Sequence, residues 1–343
     1  MTAPYEESNM RNFILAIAVC ALGMSLVMSG CGKDDQDGDK ITVCLLPKQK
    51  GLPYFKSCAD GAIKAAEELG NVKVIYDGPT TGNAEEAAKM IQRWALKGVD
   101  VIAVSPNDPK VLASAMKKAR SLGVRVITWD ADAAPDTRDF FVNQATEQEI
   151  GYALVDTMVK NLGGDSVEGD VAIITATLTA ANQNAWIVHM KERLKKYPKL
   201  KLVAVEPGKE DQKLAFQITK DLMNNYPNLK GIFAISSVLL PGAAEAVRKT
   251  GMASKVQVTG LCMPSSMKEY VNDGTVKSVI CWKTEDLGAL TIRVAEALVS
   301  GKLKAGDTSF DAGDLGTKKI KGDNILLGDI MVFTKDNIND YDF

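Results

Sequence analysis

Short apolar strands alternating with amphipathic helices, twice over, restrict this 343-residue chain to a layered α/β architecture. β-branched runs of strand length fall at 41–46, 72–76, 101–104 and 124–129, and the stretches 54–69, 84–97 and 111–121 between them carry apolar residues at helical spacing. Gly70, Gly98 and Gly123 stand just past those helices, where a left-handed terminus suits a residue without Cβ. Strands that are apolar almost throughout need cover on both faces, which is the situation of a parallel sheet wrapped by its own connecting helices. The order then repeats, with strands expected at 171–175, 200–205, 231–235 and 256–261 and helices at 182–197, 212–224 and 242–250. Val101-Ile-Ala-Val-Ser105 leads through a proline and an alanine-rich helix to Val124-Arg-Val-Ile-Thr128. Gly231-Ile-Phe-Ala-Ile-Ser236 leads in the same way through Pro241 and Gly242-Ala-Ala-Glu-Ala246 to Val256-Gln-Val-Thr259. Two similarly built, doubly wound Rossmann-like lobes with parallel-type sheets are therefore expected. A strand at 276–281, a helix at 284–298, a Gly/Asp/Lys-rich tail and a last extended stretch at 325–333 complete the pattern.

The first 40 residues concern location. Arg11 precedes an apolar run from Phe13 to Met28, which closes on Met28-Ser29-Gly30-Cys31 and gives way to a polar stretch from Lys33 to Lys40. That arrangement is an export signal, and the run falls short of the roughly 20 residues of a spanning helix. Ser29-Gly30-Cys31 has the form of a bacterial lipobox, with Met28 where leucine is usual. Residues 1–30 are thus expected to be a signal peptide, Cys31 the lipidated residue and 31–40 a tether. Met10 is the better start, since Glu6 and Glu7 are out of place in a charged leader. The protein is expected in the periplasm or at the cell surface, in contact with a membrane through its lipid anchor only.

Composition narrows the function classes. The formal net charge of −2 gives no electrostatic reason for a nucleic-acid partner. Cys44, Cys58, Cys262 and Cys281 show no CxxC or Cys/His spacing, so neither a metal nor a cofactor is called for. Cys262 and Cys281 each close an expected strand; a disulfide between them and a pair of buried thiols are both open, the thiols being the plainer reading. The single histidine, His189, lies inside an expected helix, and no nucleophile–base pairing or Gly-rich phosphate loop accompanies it, so an enzyme is not expected.

In open α/β sheets, ligands bind at the loops that leave the carboxyl ends of the strands. Those loops carry Lys48, Tyr54 and Phe55; Trp129, Asp130 and Asp132; Asn182, Gln183 and Trp186; Ser236 and Ser237; and Trp282. The mixture suits a small sugar, whose hydroxyls take carboxylates and amides while its C–H faces pack on aromatic rings. Asp130 and Lys48 are expected to make the strongest polar contacts. Removing Asp130 is expected to cost affinity and to spare stability.

At these residues the chain resembles the type I periplasmic sugar-binding proteins of ABC importers, of the ribose-binding kind. The resemblance runs closest to the branch with the autoinducer-2-binding and rhamnose-binding proteins. It rests on Leu46-Pro47-Lys48 with Tyr54-Phe55, Tyr76-Asp77-Gly78-Pro79-Thr80, Trp129-Asp130-Ala131-Asp132, Asn182-Gln183-Asn184-Ala185-Trp186, Tyr270-Val271 and Tyr341-Asp342-Phe343, in that order. The family implies two lobes joined by three crossings: 41–143 plus 283–305 as the N-terminal lobe, and 144–282 plus 306–343 as the C-terminal lobe. It also implies a monomer that hands its ligand to an ABC-transporter permease. In the autoinducer-2 binders a lysine, two aspartates and a glutamine hold the ligand. The lysine corresponds to Lys48, the first aspartate to Asp130 and the glutamine to Gln183, but the second aspartate falls on Asn182. A proline and an alanine of that set fall on Ile235 and Ser237, and Lys283 stands where an aspartate commonly follows the tryptophan. The resemblance therefore implies a deoxyhexose or pentose before autoinducer-2, with a signal-binding receptor as the alternative.

Overall fold

The computed structural model describes residues 40–343. The expected leader, Cys31 and all of the tether but Lys40 lie outside the described residues. The chain starts with β1 (Ile41–Leu46), α1 (Pro53–Leu69), β2 (Val72–Tyr76), α2 (Ala84–Leu96), β3 (Val101–Val104), α3 (Pro109–Ser121), β4 (Arg125–Trp129) and β5 (Phe141–Asn143). Parallel pairing orders these strands β5-β4-β3-β1-β2. Period-two alternation divides β1 between the two faces. Val43 and Leu45 pack with α1, whereas Cys44 and Leu46 pack with α2 and α3. Side-chain oxygens of Asn83 and Asp108 cap the first turns of α2 and α3. Gly70, Gly98 and Gly123 take the expected left-handed conformation, with φ of 75°, 70° and 87°.

The pattern repeats through α4 (Glu147–Leu162), β6 (Gly169–Thr175), α5 (Ala181–Leu194), β7 (Leu200–Pro207), α6 (Gln212–Asn225), β8 (Leu229–Ala234), α7 (Leu239–Lys249), β9 (Gln257–Gly260), α8 (Pro264–Asn272) and β10 (Ser278–Cys281). Its parallel sheet runs β7-β6-β8-β9, and a bridge from Leu261 to Ile280 attaches β10. Sequence periodicity missed α4, which a capping box of Thr146 and Glu149 starts. Beside the face of Gly151, Leu154, Val155 and Met158, its buried residues include Ile150, Thr157 and Val159, so its buried stripe is broad and its helical period weak.

The chain then returns. Helix α9 (Thr284–Val299) packs on α1, and glycines set the distance between them. A Cβ on Gly288 would lie 1.7 Å from the Cys58 carbonyl oxygen, and one on Gly61 would lie 2.0 Å from that of Glu285.

The tail departs from expectation. β11 (Ser309–Asp311), β12 (Thr317–Lys321) and β13 (Asn324–Leu326) extend the first sheet, β13 pairing with β5. Only β14 (Met331–Thr334) joins the second, antiparallel to β10. The stretch 325–333 is therefore two strands in two sheets, and 306–326 sides with the first lobe instead of the second. The cause lies in partners distant in sequence: Ile325 is buried opposite Val142, and Phe333 is buried opposite Val279. The sheets are joined by three passages of the chain, after Asn143, after Cys281 and after Leu326.

Candidate ligand-binding cleft

The carboxyl ends of strands from both sheets face one cavity. Ten of the twelve expected residues line it: Lys48, Tyr54, Phe55, Asp130, Asn182, Gln183, Trp186, Ser236, Ser237 and Trp282. Lys48, Tyr54 and Phe55 arrive through the β1–α1 loop, which Pro53 turns into the first turn of α1. The Asn107 amide braces that loop, donating to the Lys48 carbonyl at 2.8 Å and to the Gly82 carbonyl at 2.7 Å.

Asp130 is the centre of the first-lobe half. Its φ of 63° turns the chain sharply as β4 ends, in a region few non-glycine residues occupy but which aspartate tolerates. One carboxylate oxygen accepts from Tyr54 Oη at 2.9 Å; the other accepts from Ser105 Oγ at 2.8 Å and pairs with Lys48 Nζ at 2.9 Å. Tyr54 in turn accepts from Trp282 Nε1 at 3.1 Å. Burial, and then the neighbouring Asp130 charge, push the Tyr54 phenol well above its ordinary pKa, so it stays a donor. Tyr54 and Trp282 meet edge to face at 6.2 Å, and Trp186 stands 6.4 Å from Trp282, giving the cleft an apolar wall.

The second-lobe half is built on the N-terminus of α5. The Gln183 carbonyl accepts from Thr175 Oγ1 at 2.6 Å and from the Ala176 amide at 2.7 Å, which commits its oxygen and leaves its NH₂ as the available donor. Asn182 Oδ1 is buried with no hydrogen-bond partner, an acceptor that a bound donor would satisfy.

Two expected residues take other roles. Trp129 is fully buried beneath the cleft, stacked edge-on against Phe55 at 5.7 Å, with Nε1 donating to the Ala103 carbonyl at 3.2 Å. Asp132 is held by Arg138 through bonds of 2.8 and 2.6 Å and lines an adjoining opening that shares Asp130, Asn182 and Trp186 with the cleft. Alternation along β4 accounts for the first, and an arginine six positions downstream for the second.

Sequence reasoning missed Glu210, which lines the cleft from the β7–α6 loop, next to the α6 cap Asp211. The rule that gave the other loops applies equally to 207–210. Cys262 and Cys281 also line the cleft; they and the other two described cysteines are buried free thiols. Burial pushes the Cys281 and Cys44 thiols up to about 12, and those of Cys58 and Cys262 also upward. Alkylation by iodoacetamide near pH 8, mapped by mass spectrometry, should therefore spare these four in the folded protein and reach them after denaturation. Rapid labelling of any of them in the native state would contradict this environment. His189 bonds to Glu192 at 3.1 Å on α5 and does not line the cleft. Among the described residues no helix is long and apolar enough to cross a membrane, and no group of His, Cys, Asp and Glu could hold a metal ion.

Known proteins share this fold. The profile of the periplasmic binding protein domain matches residues 43–303. LsrB from Clostridium saccharobutylicum, solved in complex with AI-2, is 30% identical with a TM-score of 0.83; the match covers 88% of this chain and 100% of that one. An ABC transporter solute-binding protein from Clostridium phytofermentas with bound L-rhamnose is 32% identical with a TM-score of 0.82, covering 88% and 98%. The ribose import binding protein RbsB of Salmonella typhimurium is 23% identical over 300 residues, 86% of this chain and 94% of its own. The ribose and L-rhamnose relatives are sugar-binding transport proteins, not enzymes, and with LsrB the three include both kinds of binder that the sequence resembles. With a match spanning both sheets and the cleft between them, the chain belongs to the periplasmic binding protein domain family.

Proposed function

We propose that the chain is an extracytoplasmic solute-binding lipoprotein that captures one small sugar in the interlobe cleft and delivers it to an ABC-transporter permease. The observation that carries this reading is the composition of the cleft. A carboxylate–lysine pair, two amides from the other lobe and the rings of Tyr54, Phe55, Trp186 and Trp282 meet across one cavity. Ligand that touches both halves stabilises the closed arrangement by its contacts there. Asp130 and Lys48 take hydroxyls on one side, Asn182 and Gln183 on the other, and Trp186 and Trp282 pack on C–H faces. The leader over 1–30 directs export and is removed, and lipidation at Cys31 holds the monomeric protein at a membrane while the lobes work outside it.

A deoxyhexose or pentose is the preferred ligand. Asn182 supplies a neutral acceptor and two donors where a second aspartate would supply charge, and the relative at 32% identity has bound L-rhamnose. A signal-binding receptor for autoinducer-2 is the second reading, favoured by the likeness to LsrB. A thermal-shift screen over pentoses, hexoses, deoxyhexoses and autoinducer-2 tests both, because a ligand of the native state raises its melting temperature. At about 100 times Kd the gain is about 2.7 kcal/mol. A midpoint that no sugar in the panel moves would refute the proposal.

A further inference from the structure

Glu210 is the one carboxylate that the second lobe contributes to the cleft lining among the described residues. Its position is built at a cost in backbone conformation. Lys209 and Glu210 are consecutive non-glycine residues with φ of 54° and 50°, and the turn they make ends at Asp211, the cap of α6. Ser236 Oγ, itself on the cleft wall, donates to the Glu210 carboxylate and fixes its direction. Across the cleft stand Lys48 and Asp130 of the first lobe, both close enough to act on Glu210 electrostatically. Its sequence neighbours Lys209 and Asp211 complete the charges near it, and Asp211 is occupied in capping α6.

The charge balance of the lining follows. Lys48 is paired with Asp130, so Glu210, bonded to Ser236, has no ion-pair partner among the described residues, and the Asn182 oxygen of the same lining has no hydrogen-bond partner. We infer that Glu210 is the second-lobe specificity residue of the cleft, taking a hydroxyl of an uncharged sugar and disfavouring sugar acids. This rests on the sugar-binding reading and adds to it a residue and a charge class. A hydroxyl donates more strongly to the ionised carboxylate than to the protonated acid, so a proton on Glu210 weakens the ligand's bond. Burial raises the Glu210 pKa, with the Ser236 bond and Lys48 opposing that and Asp130 adding to it. Affinity should accordingly fall as pH drops into the range of this raised carboxyl.

The test is calorimetric titration of the whole protein and its variants with L-rhamnose, D-ribose, D-arabinose and D-allose, and with D-galacturonate as the anionic probe, at about pH 7.5 and about pH 5. Glu210→Gln keeps the shape of the side chain. Glu210→Gly relieves the positive φ and secures a folded protein without the carboxylate. Whichever neutral sugar the wild type binds should bind both variants at least about tenfold more weakly at the higher pH. The wild type should lose more affinity than Glu210→Gln on going to the lower pH. Equal affinity of wild type and variants, or wild-type binding of D-galacturonate as tight as that of the neutral sugars, would overturn the assignment of Glu210 alone. A wild type that binds none of the four neutral sugars would overturn the sugar reading, and this inference with it.

Discussion

Asp130→Asn should weaken sugar binding by about ten- to a hundredfold, the size of a lost charge-assisted hydrogen bond of about 1.5–3 kcal/mol. The carboxylate has about four acceptor sites, and Tyr54, Ser105 and Lys48 use three of them. The remaining one, with the unshared protons of Lys48, is what a ligand hydroxyl meets. The substitution keeps shape and can still accept from Tyr54, but it turns an NH₂ toward both Ser105 and Lys48. From the sequence alone, loss of Asp130 is expected to spare stability. The buried network says otherwise: the ligand-free variant should be less stable by about 1–3 kcal/mol. Titration calorimetry reads the first effect and urea unfolding the second. Wild-type affinity in a folded Asp130→Asn protein would remove Asp130 from the site.

Gly288→Ala should be the most damaging single methyl group in the first lobe. Its Cβ would have to lie 1.7 Å from the Cys58 carbonyl oxygen, in a contact between two helix backbones that no rotamer change can relieve. Helix α9 enters the first lobe straight from the second, past Trp282 and Thr284, so pushing it from α1 also disturbs the Trp282–Tyr54–Asp130 chain. The expected loss is about 3 kcal/mol or more, seen as a fall in melting temperature of roughly 5–10 °C, together with weaker ligand binding. A Gly288→Ala protein that melts with the wild type would show that α1 and α9 do not pack this closely.

What the sequence made legible follows the range of the interactions involved. Strands such as β1 and β3 and helices such as α2 announced themselves because strand alternation, helical period and capping residues are local. The passage of 306–326 to the first sheet was not legible, because Ile325 finds its partner in Val142 through pairing across the molecule. The same division holds in the cleft. Loops at strand ends gave Lys48, Asp130, Asn182 and Gln183, all of which line it. Asp132 belongs to such a loop too, and only the position of Arg138 decides that it turns away. Trp129 differs because the last residue of β4 points into the core while the next one, in a left-handed turn, points out. Glu210 was overlooked for a reason of reading: its loop ends a strand as the others do.

The central claim is that one small neutral sugar binds between the lobes. Its most direct test is calorimetric titration of the wild-type protein with L-rhamnose, the pentoses and autoinducer-2 in separate experiments. The account predicts saturable binding of a deoxyhexose or a pentose, one molecule per chain, tighter than any binding of autoinducer-2. Submicromolar binding of autoinducer-2 with no heat from any sugar would contradict it.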